Sequence, residues 1–277
     1  MGAGKERLIS GIRTVGIKMK NKKSLGQHWL KNRVILDEIA DLTAGNEAEA
    51  SASDFSDRKG VVVEIGPGLG TLTSSLLKRF DKVVAIEYDE NLAKNLPKSF
   101  PGKNLEVINA DILDFDFTNI PQPYAVAGNI PYYITSPIIE KILTAKNKPE
   151  RIVLLIQKEV AERIASDKET MLSLFVKNYA NVGLGPVVGR EEFTPPPKVD
   201  SQVIVLEPHE VVVKEEVFKL IKRGFAAPRK KLIHNLAGLK SKEELVRIFG
   251  ELDISVDARP GDLHLPDWQK LYDVIQK

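Results

Sequence analysis

The turn that follows the apolar run 124–127 carries side chains that could hold a reacting group. It contains Asn129, Pro131, Tyr132 and Tyr133. This is an unusual exit from a buried strand, because proline cannot continue a central strand and asparagine is costly to bury unpaired. The Asn129 amide offers one donor group and one acceptor, Pro131 leaves neighbouring carbonyls unencumbered, and a tyrosine ring offers a flat face. This equipment suits a planar heterocycle with an exocyclic amine.

A glycine-rich turn stands at the end of another apolar run. Residues 66–70 follow the β-branched segment 61–65 and precede a predicted helix, so Gly66 and Gly68 could bring backbone close to a ligand. Glu87 ends the next predicted strand, where a carboxylate can accept hydrogen bonds from both hydroxyls of a ribose. These features fit an adenosine-containing ligand. A tight turn without a ligand is the alternative interpretation of the glycines alone.

Two further acids distinguish between adenosine-containing ligands. Glu64 precedes the glycine turn, where a carboxylate would repel a pyrophosphate but suit an ammonium group. Asp111 follows the third predicted strand and could accept from an adenine amine; Asp114 and Asp116 are close by, so the choice of Asp111 rests on its place at the strand end. S-adenosylmethionine has a ribose, an adenine, an ammonium and a sulfonium but no phosphate. The acids therefore favour it over NAD.

The composition excludes several other classes of protein. A hydrophobic share of 43% with 28% charged residues over 277 residues is typical of a globular protein with one sizeable core. The chain has no cysteine, which excludes disulfides, thiolate metal sites and cysteine nucleophiles. No apolar run reaches the ~20 residues of a membrane span, and no secretory signal is visible. We expect a cytoplasmic monomer without a metal.

Two basic segments contrast with an acidic remainder. Residues 1–33 hold nine Lys and Arg against one acid, and residues 219–242 hold eight and no acid, while the net charge of the whole chain is only +2. Such segments indicate a polyanion partner, in particular nucleic acid. A solvated tail and a solvated helix face are the alternative interpretation of either run alone. The candidate RNA contacts are Lys22, Lys23, Arg223, Arg229, Lys230 and Lys231.

The elements that position these residues alternate along the chain. Strands predicted at 61–65, 82–86, 105–108, 124–127 and 151–156 alternate with helices, which indicates a doubly wound parallel α/β sheet. Strands at 182–189 and 201–207 extend it. Further helices are predicted at 33–43, 71–79, 90–96, 137–145, 158–166, 170–180, 214–226, 229–237 and 242–249, with a last one opened by Pro266.

Local signals support these boundaries. Asn32 and Asp89 are predicted N-caps, and Ser241 with Glu244 predicts a capping box. The pattern is purely helical after Pro208, and residues 44–59 are predicted to form a polar surface loop. The predicted organisation is a flexible basic segment at 1–21, an α/β domain at 22–208 and a small all-helical domain at 209–277.

Several motifs, in this order, identify a family. The chain resembles the ribosomal RNA adenine N6,N6-dimethyltransferases, which modify two adjacent adenosines near the 3′ end of small-subunit ribosomal RNA, with its archaeal and eukaryotic branch favoured. The resemblance extends from about Lys22 through nearly the whole chain. Besides Glu87 and Asp111, it rests on Lys23-Ser24-Leu25-Gly26-Gln27-His28-Trp29-Leu30, Glu64-Ile65-Gly66-Pro67-Gly68-Leu69-Gly70, Asn129-Ile130-Pro131-Tyr132 and Phe193-Thr194-Pro195-Pro196-Pro197-Lys198-Val199-Asp200-Ser201.

The resemblance implies a Rossmann-like methyltransferase sheet, S-adenosylmethionine as cofactor and RNA within a pre-ribosomal small subunit as substrate. It also implies roles for individual residues. Asn129 and a carbonyl near Pro131 would aim the adenine amine, Tyr132 would stack on the extruded base and Phe193 would close its other face. The cofactor would contact His28, Leu30, Gly66, Gly68, Glu87, Asp111 and Asn129.

Departures from the family pattern affect few of these roles. The family commonly has Asn and Phe where this chain has His28 and Trp29. These differences put only side-chain contacts in question, because His28 and Leu30 are expected to contact the methionine end of the cofactor through their backbone. Tyr133 is predicted to be a packing residue.

Three alternative functions are left open by the motifs. A large-subunit ribosomal RNA adenine methyltransferase, of the type that confers macrolide resistance, shares the motifs up to Asn129. A non-catalytic RNA-binding assembly or transcription factor could use the same scaffold, although the intact set of Glu87, Asp111 and Asn129 weighs against loss of chemistry. A NAD-dependent dehydrogenase is disfavoured by Glu64.

Overall fold

The computed structural model describes residues 27–45 and 60–276. The basic segment at 1–21, Lys22, Lys23 and nearly all of the predicted loop at 44–59 lie outside these residues. The strands are β1 Trp29–Leu30, β2 Val61–Ile65, β3 Lys82–Glu87, β4 Leu105–Asn109, β5 Tyr124–Asn129, β6 Arg151–Gln157, β7 Ala180–Val188, β8 Phe193–Thr194 and β9 Ser201–Pro208. The helices are α1 Arg33–Ala44, α2 Thr73–Leu76, α3 Glu90–Asn95, α4 Thr135–Leu143, α5 Lys158–Ala165, α6 Met171–Tyr179, α7 Glu215–Gly224, α8 Leu232–Asn235, α9 Lys242–Glu251 and α10 Leu265–Ile275.

The central sheet has the doubly wound α/β topology that the alternating pattern predicts. Its seven strands lie in the order β4-β3-β2-β5-β6-β9-β7. The strands from β4 to β6 are parallel, and β9 pairs antiparallel with β6. The chain winds outward from β2 to β4 on one side and from β5 to β6 on the other. The switch point therefore lies between β2 and β5, where open α/β sheets bind ligands.

The chain divides into two compact units. The first contains the described residues up to Lys158 together with Gly185–Leu206, and the second contains Glu159–Leu184 and the residues from Glu207 onward. The predicted α/β domain at 22–208 differs from this division because α6 and most of α5 belong to the second unit. The boundaries fall inside β7 and β9.

Apolar residues at strand and helix spacing account for the core of each unit. In the first, fully buried residues of β2, β5 and β6 pack with Leu36, Ile39 and Ala40 of α1. In the second, Trp268 of α10 packs among apolar residues of α7 to α9. Within the described part of the chain, no helix combines the length and apolarity that a bilayer crossing requires.

The three N-terminal caps that the sequence predicts are confirmed. The Asn32 side chain accepts from the Val34 and Ile35 amides, Asp89 caps α3, and Ser241 and Glu244 form the capping box of α9. Two helices are much shorter than predicted. The helix expected at 71–79 is confined to Thr73–Leu76, and the one expected at 229–237 to Leu232–Asn235. Helix propensity alone predicts longer helices at both places, whereas turns on either side end both helices in the folded chain.

Gly70 provides a test of how tightly the glycine turn is packed. It has a φ of +80°, and a Cβ atom there would lie 2.7 Å from Leu96 Cδ1 and from Phe100 Cε2. Gly70→Ala should therefore lower the free energy of unfolding by ~2–4 kcal/mol, combining left-handed strain with overpacking. Gly102→Ala is the matched control, because Gly102 has a φ of +72° but open space around it. Urea unfolding measures the free energy of unfolding of both variants. Equal losses in the two variants would contradict the packing contribution.

Candidate active site

A cleft of about 300 Å³ lies at the carboxyl ends of the parallel strands. The register aligns these ends, since Ile65 of β2 pairs with Ile86 of β3 and with Gly128 of β5. Within the described residues, no cluster of three or more His, Asp or Glu could hold a metal ion. The cleft brings together nine residues that the sequence predicts for the site: His28, Leu30, Gly66, Gly68, Glu87, Asp111, Asn129, Pro131 and Tyr132.

Glu87 ends β3 with its carboxylate buried and oriented by backbone. Its Oε2 accepts from the Gly68 amide at 3.0 Å and its Oε1 from the Asp89 amide at 2.8 Å. Burial raises the pKa of the Glu87 carboxyl, while these backbone hydrogen bonds oppose the rise. Each carboxylate oxygen can accept more than one hydrogen bond, so Glu87 retains capacity for the hydroxyls of a ribose. The amide of Gly68 is directed to a carboxylate, where a pyrophosphate-binding turn would direct it to the ligand.

Glu64 is the more deeply buried of the two carboxyls, with 1% of its surface exposed. Burial raises its pKa to about 8, the nearby Glu87 adds to the rise, and Thr73 opposes it. Among the described residues, Glu64 Oε2 has no hydrogen-bond partner of normal geometry. Ionisation of this buried carboxyl is costly, and a cationic ligand in the cleft would lower that cost.

Asp111 lies just beyond β4, on the same edge of the cleft as Glu87. Its Oδ1 accepts from the Leu113 amide at 2.9 Å, which orients the carboxylate and leaves Oδ2 to accept from an amine. The backbone before it is tied to β3, because the Ala110 amide donates to the Glu87 carbonyl at 3.1 Å. Glu64, Glu87 and Asp111 thus form an acidic row along three adjacent strand ends. This row suits a ribose, an amine and a cation, and it opposes a phosphate.

Asn129 is the last residue of β5, one strand beyond the acidic row. Its Nδ2 donates to the His28 carbonyl at 2.8 Å, so the Oδ1 of the same amide is left as an acceptor. This hydrogen bond joins the sheet to the loop before β1. It also meets the requirement that a partly buried asparagine be paired.

Tyr132 lies in the turn after Asn129, with its side chain held at the hydroxyl end. Its hydroxyl forms a hydrogen bond of 2.6 Å with Ser201 Oγ, and burial raises its pKa. The His28 ring lies parallel to it, with 6.0 Å between ring centroids and 18° between planes. The His28 ring is itself held by a contact of 2.7 Å between Nδ1 and the Pro195 carbonyl. The cleft therefore presents an oriented amide oxygen beside an oriented aromatic ring.

Phe193 is the one predicted residue of this group that the structure does not bring to the cleft. It is 1% exposed, pairs with Leu30 between β8 and β1, and packs in the core of the first unit. Its apolar ring gains more from the core than from the rim, which is the ordinary outcome for a phenylalanine on a paired strand. Its expected stacking on a base gains no support from this placement.

Two tyrosines at the cleft have positions that the sequence pattern did not reveal. Tyr88 and Tyr133 both line it, and their side chains are 63% and 64% exposed. The prediction that Tyr133 is a packing residue is therefore wrong. Tyr88 directly follows the last residue of β3, and Tyr133 lies in the turn after β5. The period-two pattern of a strand gives no information on side chains beyond the end of that strand.

The basic candidates of the second unit are on its surface. Arg223, in the last turn of α7, donates to the Ala237 carbonyl at 2.9 Å, and Lys231 pairs with Asp257. Arg229 and Lys230 are exposed in the connection between α7 and α8. Four cations of the second basic segment are thus available to solvent within one short stretch of chain.

Comparisons with known proteins agree with this geometry. The family model described as ribosomal RNA adenine dimethylase matches residues 18–277. The ribosomal RNA small subunit methyltransferase A of Dehalococcoides mccartyi (strain CBDB1) is 37% identical over 269 residues, which cover 92% of this chain and 89% of that protein. The protein of the same name from Picosynechococcus sp. is 38% identical over 276 residues, covering 92% and 97%.

Solved structures share the fold over most of its length. The 23S rRNA methyltransferase ErmE has a TM-score of 0.71 at 25% identity, covering 90% of this chain and all of that one. A dimethyladenosine transferase from Plasmodium falciparum has a TM-score of 0.71 at 28% identity, covering 90% and 98%. The narrower assignment to the archaeal and eukaryotic branch stays a prediction.

The buried Glu64 makes stability depend on pH. A folded-state pKa of about 8, above the ordinary 4.5, means that the folded protein prefers the protonated acid. This preference favours folding fully below pH ~4.5, and its contribution is progressively lost as the pH rises to ~8, by on the order of 4–5 kcal/mol. Glu64→Gln should remove this part of the pH dependence. Urea unfolding of both proteins at pH 5, 6.5 and 8 measures it, and parallel curves would contradict the buried-acid assignment.

Proposed function

The chain belongs to the ribosomal RNA adenine dimethylase family, and we propose that it transfers methyl groups from S-adenosylmethionine to N6 of two adjacent adenosines near the 3′ end of small-subunit ribosomal RNA. The observation that carries this proposal is the position of the Asn129 amide, one strand beyond a row of three acids at the same cleft. The relatives named small subunit methyltransferase A support the choice of subunit.

The cleft fits S-adenosylmethionine better than any phosphate-bearing ligand. Glu87 has acceptor capacity for the ribose hydroxyls, Asp111 Oδ2 for the adenine amine, and the unpartnered Glu64 oxygen for the ammonium. His28 and Leu30 line the same cleft from the loop and strand β1. When bound, the cofactor supplies an electrophilic methyl group on a sulfonium.

Asn129 supports the transfer by orienting the acceptor nitrogen. The lone pair of adenine N6 is delocalised into the ring, which makes the nitrogen a weak nucleophile. An N6–H that donates to Asn129 Oδ1, and a second that donates to a backbone carbonyl near Pro131, would turn the lone pair toward the methyl. Orientation of this kind can account for up to ~7–11 kcal/mol of a barrier in ideal cases. The nitrogen proton becomes acidic as the new bond forms, so no strong base is required.

Tyr132 would hold the plane of the extruded base. Its ring is fixed by the hydroxyl contact to Ser201 and lies beside the Asn129 amide, and stacking of a base on an aromatic ring contributes ~1–3 kcal/mol. Extrusion costs a few kcal/mol, less for an unpaired nucleotide. The resemblance implies Phe193 at the second face of the base. In the structure the His28 ring lies parallel to Tyr132, with 6.0 Å between the ring centroids.

The basic segment of the second unit would bind phosphates of the RNA substrate. Arg223, Arg229, Lys230 and Lys231 are exposed, which fits contacts to a backbone rather than to bases. We propose that the protein acts as a cytoplasmic monomer on a pre-ribosomal small subunit.

A direct test uses undermethylated small subunits, the purified protein and methyl-labelled S-adenosylmethionine. Primer extension should map the label to two adjacent adenosines near the 3′ end of the small-subunit RNA. Large-subunit RNA is the second candidate substrate, because the fold is equally similar to that of ErmE. Label only in large-subunit RNA would favour it, and no label in either RNA would overturn the proposed activity.

Asn129→Ala should separate chemistry from cofactor binding. Loss of the aimed acceptor should lower the single-turnover methylation rate by ~100-fold or more. Cofactor affinity, measured by calorimetry on the same preparation, should change far less, which also serves as the control for folding. Full methylation by this variant would remove the amine-orienting role.

Glu87→Gln should give the opposite separation. The neutral amide keeps the side-chain volume but loses the charged acceptor for two hydroxyls, and hydrogen bonds to charged groups contribute ~1.5–3 kcal/mol. Calorimetry should show S-adenosylmethionine affinity lowered by ~10- to 100-fold, with the methylation rate largely restored at saturating cofactor. Unchanged affinity would place Glu87 outside the cofactor site.

Replacing Arg229, Lys230 and Lys231 by Gln should weaken RNA binding and make it less dependent on salt. Three phosphate contacts contribute a slope of ~2–3 in log affinity against log salt concentration. The control is Gln at Lys94, Lys98 and Lys103, three exposed lysines of the first unit that change the net charge equally. If both triple variants lose the same slope, the effect is net charge and the assigned contacts are wrong.

A further inference from the structure

Tyr133 is an aromatic residue at the cleft for which the proposed chemistry has no use. Its side chain is 64% exposed although it lines the same cleft as Asn129. Within residues 27–45 and 60–276, its hydroxyl has no hydrogen-bond partner and its ring stacks on no other ring. Single exposed apolar residues are common on surfaces and need no explanation. This one differs because it borders a pocket that would hold an extruded base.

The backbone that carries Tyr133 is fixed on both sides of it. The Ile134 amide donates to the Pro131 carbonyl at 3.2 Å, and the hydroxyl of the buried Thr135 donates to the Tyr132 carbonyl at 3.1 Å. The preceding side chain, Tyr132, is held by Ser201. A tyrosine on such a turn offers a large contact area with only two side-chain torsions to order. The backbone that carries the exposed ring is therefore preorganised, and only the two side-chain torsions must be ordered when a flat partner binds.

We propose that Tyr133 is the stacking platform for the nucleobase directly beside the target adenosine, an assignment that rests on the proposed function. Tyr132 and Tyr133 are consecutive, so their Cα atoms are ~3.8 Å apart, yet one side chain is tied inside the cleft and the other extends from its rim. A base extruded into the cleft leaves its neighbour at that rim. Tyr133 would then hold the neighbouring base while the target adenosine occupies the cleft.

The position of Tyr133 separates this partner from the cofactor. The acids that suit the cofactor stand at the ends of β2, β3 and β4, whereas Tyr133 follows β5, beyond the Asn129 amide that would meet the target amine. The ring thus lies on the acceptor side of the cleft. Stacking on a base is tolerant of sequence, so it would contribute to RNA affinity and register without changing the methyl transfer itself.

The test compares Tyr133→Leu with the matched variant Tyr133→Phe, which keeps the ring. Each full-length protein methylates small subunits whose RNA either has, or lacks, the base beside the target adenosine. With intact RNA, Tyr133→Leu should raise the KM for subunits by ~5- to 150-fold with little change in kcat, and Tyr133→Phe should resemble the unaltered protein. With the base removed, the unaltered protein should show the same rise, and Tyr133→Leu should add little to it.

Several outcomes would overturn the assignment. An unchanged KM for Tyr133→Leu, or independent and additive losses from the two changes, would mean that ring and base do not meet. A fall in kcat at unchanged KM would place the ring on the target base instead. Equal cofactor affinity of all three proteins in calorimetry controls for folding. If the unaltered protein methylates no subunit, the proposed function fails; if it does and Tyr133→Leu matches it, only this inference fails.

Discussion

Parallel register between β2 and its two neighbours is the constraint on which the cleft depends. Because Ile65 pairs with Ile86 on one side and with Gly128 on the other, the residues that leave these strands emerge at one level. Side chains more than 60 residues apart in the chain, such as Glu64 and Asn129, therefore share one cleft. The strand order reverses between β2 and β5, which opens the crevice that the cleft occupies.

The electrostatics of this cleft define the class of ligand more narrowly than its shape does. Glu64 and Glu87 are both buried, and burial raises the pKa of both. Each of two neighbouring buried carboxyls opposes ionisation of the other. A ligand with an ammonium or a sulfonium would therefore bind with favourable electrostatic energy, whereas a phosphate would be repelled. The turn reinforces this preference because the Gly68 amide donates to Glu87. The glycine turn is therefore better suited to a nucleoside with a positive charge than to a dinucleotide.

The acceptor side of the cleft combines fixed and free groups. Asn129 and Tyr132 are each held by a specific hydrogen bond, to the His28 carbonyl and to Ser201, respectively. Tyr133 beside them has no such partner among the described residues. Groups that act on the reacting nitrogen need orientation before the substrate arrives, whereas a platform for a flanking base needs only an exposed face on a fixed backbone.

The sequence by itself determined the alternating elements and their caps, because strand ends, glycine turns and capping side chains are local signals. It also predicted nine residues that meet at the cleft, but His28, Leu30 and the role of Tyr132 came from the family resemblance and not from local signals. It could not determine the side-chain environment beyond a strand end, since that depends on contacts distant in the chain. Thus Phe193, expected at the cleft, is in the core, and Tyr133, expected to pack, is exposed. The grouping of α6 with the C-terminal helices and the pairing of Asn129 with His28 likewise arise from contacts that only the tertiary structure forms.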